Sequence, residues 1–326
     1  RTAERHGAVI LNYARVTSLG KNGTGTITGV EFQEVERGDR YSVSASAVIN
    51  ATGAFCSKVQ EMADESFKPV IAYSRGVHLV FDRKFLPGET ALMIPKTSDG
   101  RILFCIPWNN HVLVGTTDTS VEAAELEPRA LETEIAFILR TAAEYLATKP
   151  TRSDILSVFA GIRPLVSTGV AAKTSSLSRG HHLFVNASGL VTITGGKWTT
   201  YRRMAEDAVD KAAEIAELKW SASTTSDLRI QTPSGLGEAE LLHPGFPYTR
   251  GDVIRGVRNE MARTVEDILA RRTRMLFLDA KAAIELAPKV AELMAKELDK
   301  DDVWVADQIK SFRATAENYT ATTRAF

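Results

Sequence analysis

The chain has 326 residues, 44% hydrophobic and 25% charged, with 40 basic side chains against 40 acidic ones. This is a globular composition of a length suited to about two domains. Zero formal net charge gives no field for nucleic acid or for an acidic membrane surface, and no run approaches the ~18 apolar residues of a membrane-spanning helix.

Strands are expected at 9–19, 25–36 and 39–49, with turns at Lys21-Asn-Gly-Thr and Arg37-Gly-Asp. Residues 45–50 form a buried strand ending in Ala-Thr-Gly, with a helix over 54–65 behind it. A hairpin excursion followed by a return strand points to an α/β domain with an inserted meander. From Val70 the pattern changes to short strands at 78–81, 91–94, 102–108 and 111–116, a mostly antiparallel sheet with a two-residue turn at Asn109–Asn110. An amphipathic helix follows over 127–147, then a strand over 155–162 with Arg163 at its end. A strand–turn–strand unit enters a helix over 201–216, and 219–246, with Thr-Pro-Ser-Gly and His-Pro-Gly-Phe-Pro, reads as a connection. Helices are expected at 264–269, 280–298 and 301–316, before a polar tail. Cys56 and Cys105 lie far apart in apolar settings and read as small buried hydrophobes. The six histidines show no ligand spacing, so no metal site is expected.

The stretch His-Leu-Phe-Val-Asn-Ala-Ser-Gly-Leu-Val-Thr-Ile-Thr-Gly-Gly-Lys-Trp-Thr-Thr-Tyr-Arg at 182–202 carries the most chemistry. The pair Gly195–Gly196 lets backbone approach a ligand, and Lys197, Thr199 and Thr200 crowd the first turn of a helix, where free N–H groups favour anions. An ordinary strand-to-helix turn is the plain alternative. Arg163, between Ala160-Gly161 and Pro164, has a planar fork suited to a phosphate monoester; its plain alternative is an arginine paired with a carboxylate. His78, after Gly76, enters an apolar strand and titrates in the range useful for proton transfer, though a lone histidine there also reads as structural. Arg75 stays unassigned. Thr-Thr-Asp-Thr at 116–119 reads as a turn around Asp118, with a polar wall of a pocket as the alternative.

Four segments taken together, Asn-Ala-Thr-Gly-Ala at 50–54, Ser-Arg-Gly-Val-His-Leu-Val at 74–80, Ala-Gly-Ile-Arg-Pro-Leu at 160–165 and Thr-Gly-Gly-Lys-Trp-Thr-Thr-Tyr-Arg at 194–202, resemble the FAD-dependent glycerol-3-phosphate dehydrogenases. The resemblance implies an α/β FAD-binding domain of the glutathione-reductase or D-amino-acid-oxidase type, an antiparallel-sheet substrate domain and a C-terminal α-helical domain. The corresponding division is 1–66 for part of the FAD domain, 67–160 for the substrate domain, 161–218 for the return to the FAD domain, 219–249 for a connection and 250–326 for the helices. It further implies FAD as cofactor and oxidation of sn-glycerol 3-phosphate to dihydroxyacetone phosphate by hydride transfer from C2. His78 would be the base, Arg163 and Lys197 would hold the phosphate, and Thr52, Gly53, Gly195, Gly196 and Thr199 would lie on the flavin side. Electrons would pass to a quinone, or to oxygen in the oxidase branch. The implied location is cytoplasmic, with a peripheral contact at the inner membrane face and a homodimer both left open; no nucleic acid is expected.

The family's Gly-x-Gly-x-x-Gly turn for the FAD pyrophosphate has no counterpart, since Gly20, Gly23, Gly25 and Gly29 are irregularly spaced. With Arg1 inside what reads as a helix end, the chain is expected to be a piece of a longer protein. The competing readings are a glycerol-3-phosphate oxidase, an amine or 2-hydroxy-acid oxidase, and a non-catalytic fragment or subunit.

Overall fold

A computed structural model describes residues 1–67, 71–98, 100–166, 180–231 and 240–321. Val70, the Thr-Pro-Ser-Gly stretch at 232–235 and most of the polar tail lie outside these. A short helix α1 (Thr2–Arg5) precedes an antiparallel meander of β1 (Ala14–Lys21), β2 (Ile27–Glu34) and β3 (Arg40–Ser44) in that order. The strand expected from residue 9 starts at Ala14 instead, because Tyr13 takes a positive φ of 52° that breaks the extended run. Then come β4 (Ile49–Asn50), a 3₁₀ turn (Gly53–Phe55) and α2 (Cys56–Ala63). Ile27, Ala63 and Leu190 bury together, which fastens the meander beneath the rest of the chain.

The second layer is a six-stranded sheet of β5 (Ile71–Asp82), β6 (Leu92–Ile94), β7 (Leu103–Trp108), β8 (His111–Gly115), β9 (Thr119–Val121) and, after helix α3 (Glu132–Tyr145), β10 (Ile155–Val166). Its order is β10-β5-β8-β7-β6, with β9 also paired to β5, and all its pairings are antiparallel. Asn109 and Asn110 both adopt positive φ, 47° and 60°, the left-handed pair that a tight hairpin between twisted strands requires. Strand alternation sends Val77, Leu79 and Phe81 to one face, where the 3.6-residue stripe Ile135, Ile138 and Ala142 of α3 covers them. The opposite face of β5 is therefore left for other work. Two expectations shift here. β5 is far longer than 78–81, and Arg163 lies inside β10 rather than past its end.

After β10, the hairpin β11 (His181–Val185) and β12 (Val191–Gly195) forms a three-stranded sheet in which β12 pairs in parallel with β4. A 3₁₀ turn (Trp198–Thr200) then leads into α4 (Tyr201–Ile215). The C-terminal part is helical: α5 (Arg250–Glu260), a π-helical turn (Asp267–Arg272) in place of the helix expected at 264–269, α6 (Met275–Leu278), α7 (Ala280–Leu298) and α8 (Asp302–Ala316). Asp279 and Asp301 cap α7 and α8 by accepting from Ala282 N at 3.0 Å and Trp304 N at 2.9 Å. These helices enclose their own core around Val253, Leu269, Leu276, Val290 and Phe312. They also grip the other layers. Ser157 Oγ donates to Leu276 O at 2.9 Å, Tyr13 Oη donates to Asp267 at 2.7 Å, and Arg263 makes a bidentate pair with Glu36 at 2.6 and 2.7 Å. Both cysteines are buried, as expected, and burial pushes the Cys105 thiol up to about 11.

Ile138 is fully buried between α3 and the sheet. Ile138→Ala is expected to lower the unfolding free energy by about 2–5 kcal/mol in urea titration, whereas Leu126→Ala, 82% exposed, should change it by less than ~0.5 kcal/mol.

Candidate active site

The site is built on the pairing of β5 with β10. Its register sets His78 opposite Phe159, Gly76 opposite Gly161 and Ser74 opposite Arg163. Directly paired residues share a face, so all six lie on the side of the sheet away from α3. Gly76 leaves a shallow gap on β5. Across it lies the Arg163 guanidinium, so close that a Cβ at Gly76 would stand 2.6 Å from Arg163 Cζ. Arg163 Nη1 donates to Thr117 O at 3.1 Å, Nη2 donates to Thr116 Oγ1 at 2.9 Å, and the Asp118 carboxylate stands 3.9 Å away. Asp118 in turn accepts from Ser74 Oγ. Thr-Thr-Asp-Thr is thus the cradle of Arg163 rather than a plain turn.

His78 sits one register step further along. Gly115 leaves room for its ring, since a Cβ there would be 2.9 Å from His78 Cγ. The ring stacks on Phe159 at 5.4 Å between centroids. Burial, and then the neighbouring Arg163 charge, push the imidazole down to about 4. It is therefore neutral near pH 7, with a nitrogen lone pair ready to accept a proton. Phe159 meets Phe277 of α6 edge-on at 5.1 Å, and Phe277 meets Tyr319 edge-on at 5.5 Å. An aromatic column thus runs from His78 into the helical part of the chain. Arg75 belongs elsewhere: its Nε donates to Glu134 at 3.1 Å on the α3 side of the sheet.

The glycine turn comes to the same end of β10. Gly195 and Gly196 hold φ of 73° and 78°, which side chains rarely adopt. A Cβ on Gly195 would lie 3.1 Å from Val166 Cγ2, and one on Gly196 would run into Met204. The Gly53–Phe55 turn packs against both β10 and β12. Asn50 organises it, accepting from Thr52 Oγ1 at 2.7 Å while donating to Cys56 O at 2.9 Å. Gly53, at φ 59°, faces open space. Thr52, Gly53, Gly195 and Gly196 therefore converge on the C-terminal ends of β4, β10 and β12. Thr199 and Lys197 stand exposed at the entry to α4. Among the described residues, Lys197 Nζ makes no hydrogen bond or ion pair, and no described contact joins it to the Arg163 cluster.

These residues fit the ring end of a flavin. Glycines in left-handed conformation let both turns come close to neighbouring chain, open space lies beside Gly53, and the Thr52 and Thr199 hydroxyls stand near these turns in sequence. Sequence reasoning names residues 116–119 as a turn with a pocket wall as the alternative and Ser74 only as the start of a quoted segment, and it does not single out Glu134 or Phe159.

Residues 1–202 match the family described as FAD dependent oxidoreductase, and residues 210–304 match the C-terminal domain of alpha-glycerophosphate oxidase. Among curated relatives, the mitochondrial glycerol-3-phosphate dehydrogenase SDP6 of Arabidopsis thaliana is 35% identical over 91% of this chain and 56% of its own length. The Homo sapiens mitochondrial glycerol-3-phosphate dehydrogenase is 35% identical over 96% of this chain and 50% of its own. The chain spans about half the length of these relatives. The crystal structure of the glycerol-3-phosphate dehydrogenase from Bacillus halodurans, complexed with FAD, superposes with a TM-score of 0.82 at 25% identity, covering 99% of this chain and 72% of that one. The α/β layer built around β4 and β12, the antiparallel sheet and the helical end are thus those of a known architecture, and the chain belongs to the FAD-dependent oxidoreductase family.

Proposed function

We propose that the protein to which these residues belong oxidises sn-glycerol 3-phosphate to dihydroxyacetone phosphate and passes the electrons to a quinone. The observation that carries this reading is the placement of a guanidinium and a neutral imidazole on one sheet face, one glycine apart. Arg163, held by backbone and hydroxyl oxygens, presents its planar fork to a phosphate monoester. His78 accepts the proton of the C2 hydroxyl as the C2 hydrogen departs as hydride. When bound, FAD supplies the two-electron acceptor for that hydride, and Thr52, Gly53, Gly195, Gly196 and Thr199 line its ring. Lys197 is the second phosphate ligand in this reading. Its exposed ammonium at a helix entry, where a bare cation is unfavourable, is relieved by a bound dianion.

The depressed value of His78 suits substrate-dependent activation. A phosphate dianion on Arg163 cancels the charge that helps to hold the imidazole down, so binding raises its affinity for a proton when one is about to be released. Quinone reduction would take place at the cytoplasmic face of a membrane; no described helix is long and apolar enough to cross one. The match of residues 210–304 to a domain named for an oxidase makes oxygen the competing acceptor. Hydrogen peroxide formed in step with product would favour it.

In the full-length, FAD-loaded protein, anaerobic sn-glycerol 3-phosphate is expected to bleach the flavin band between 350 and 500 nm; no bleaching in the loaded protein would defeat the reading. Arg163→Ala should raise KM for glycerol 3-phosphate about 10–100-fold and leave turnover of glycerol unchanged; an equal effect on both would remove Arg163 from the phosphate site. His78→Asn should slow flavin reduction about 10²–10⁴-fold at nearly constant KM. Histidine NMR titration should find His78 near 4, and in Arg163→Ala higher but still below the ordinary 6.5, because burial is the larger cause. As the folded value lies below the unfolded one, the stability contributed by neutral His78 is full above about pH 6.5. It is lost at about 1.4 kcal/mol per pH unit as the pH falls toward about 4. His78→Asn should flatten that part of the stability curve.

A further inference from the structure

The segment that cradles Arg163 has two faces. Between β8 and β9, Thr116 and Asp118 turn their side chains toward the guanidinium, and Thr117 and Thr119 turn theirs toward α3. Beneath them lies Glu134, in the first turn of α3 and only 5% exposed. Its Oε1 accepts from Thr117 Oγ1 at 3.0 Å and Thr119 Oγ1 at 2.6 Å; its Oε2 accepts from Leu131 N at 2.9 Å and Arg75 Nε at 3.1 Å. Thr117 Oγ1 also accepts from Val77 N at 3.0 Å, which ties the segment to β5. Thr117 thus donates its hydroxyl downward to Glu134 while its carbonyl accepts from Arg163 above.

We infer that Glu134 is a positioning residue for Arg163: by gripping Thr117 and Thr119 from below the sheet, it sets the cradle that orients the guanidinium above it. The inference rests on the reading of Arg163 as the phosphate ligand. A carboxylate is the group this place needs, because four donors converge on it and only a carboxylate offers acceptors on both oxygens. In a glutamine whose oxygen keeps the Leu131 N–H and Arg75, the amide nitrogen would have to donate to the two threonine hydroxyls, which reverses both bonds, leaves the Thr117 and Thr119 hydroxyl protons without this acceptor and removes the charge that faces Arg75. Glu132, two residues earlier, is outside the network. It makes a bidentate pair with Arg152 at the surface.

The test measures sn-glycerol 3-phosphate affinity by calorimetry, with KM and kcat alongside, in the FAD-loaded full-length protein. Glu134→Gln should weaken binding about tenfold with kcat within about twofold, while Glu132→Gln should change neither. Thr117→Val should reproduce the loss and Thr117→Ser should restore binding, a pair that carries the test even where Glu134→Gln fails to fold. In the Arg163→Ala background, Glu134→Gln should add nothing, since it acts through Arg163. Additive losses in the double variant would overturn the inference, as would unchanged affinity in a folded Glu134→Gln when Arg163→Ala alone weakens binding. If Arg163→Ala itself leaves affinity unchanged, the phosphate-ligand reading fails, and the inference with it.

Discussion

The antiparallel register between β5 and β10 is the constraint on which the rest of the site depends. Side chains alternate faces along a strand, so a slip of one residue on β5 would turn His78 and Gly76 toward α3 and bring Val77 and Leu79 out. The register is held from below by the apolar stripe of α3 against Val77, Leu79 and Phe81. Above, it places Gly76 beside Arg163, and the missing side chain there is what lets the guanidinium lie against β5. Arg163 and His78 share a surface because a hydrophobic pattern on the other face leaves them no alternative.

Within that frame, electrostatics and burial act together on one imidazole. Phe159 and the sheet remove water from His78, while Arg163 adds a like charge to its protonated form; both favour the neutral ring. The arginine is itself oriented by oxygens of Thr116, Thr117 and Asp118. The acidic partner, Asp118, stands 3.9 Å away rather than in a tight bidentate pair.

Much of the fold was legible because its signals are local. The meander, the Asn109–Asn110 hairpin and the helix over 280–298 follow from turn residues and periodicity, and α7 runs over just those residues. The four quoted segments were enough to identify the family, which the comparisons bear out. The length of β5 was obscured because Ser74-Arg75-Gly76 interrupts its apolar run. Arg163 was placed beyond its strand because Pro164 reads as a stop. Yet β10 is the edge strand of its sheet, where a residue without an N–H is tolerated. Glu134 was invisible for a different reason. In sequence it is a first-turn acid like Glu132, and only the crossing of Thr117 and Thr119 above it distinguishes the two.

The column of rings from His78 through Phe159 and Phe277 to Tyr319 bears on where this chain can be divided. Two family models part it between residues 202 and 210, a boundary of inheritance. The energetic boundary lies elsewhere, because the ring that supports His78 finds its own support in a residue from the second module, next to the Leu276 carbonyl that satisfies the buried Ser157 hydroxyl. Severing the helices would expose an aromatic edge and orphan a hydroxyl near the start of β10. Each module buries a group of the other, the Phe159 ring against Phe277 and the Ser157 hydroxyl against Leu276 O.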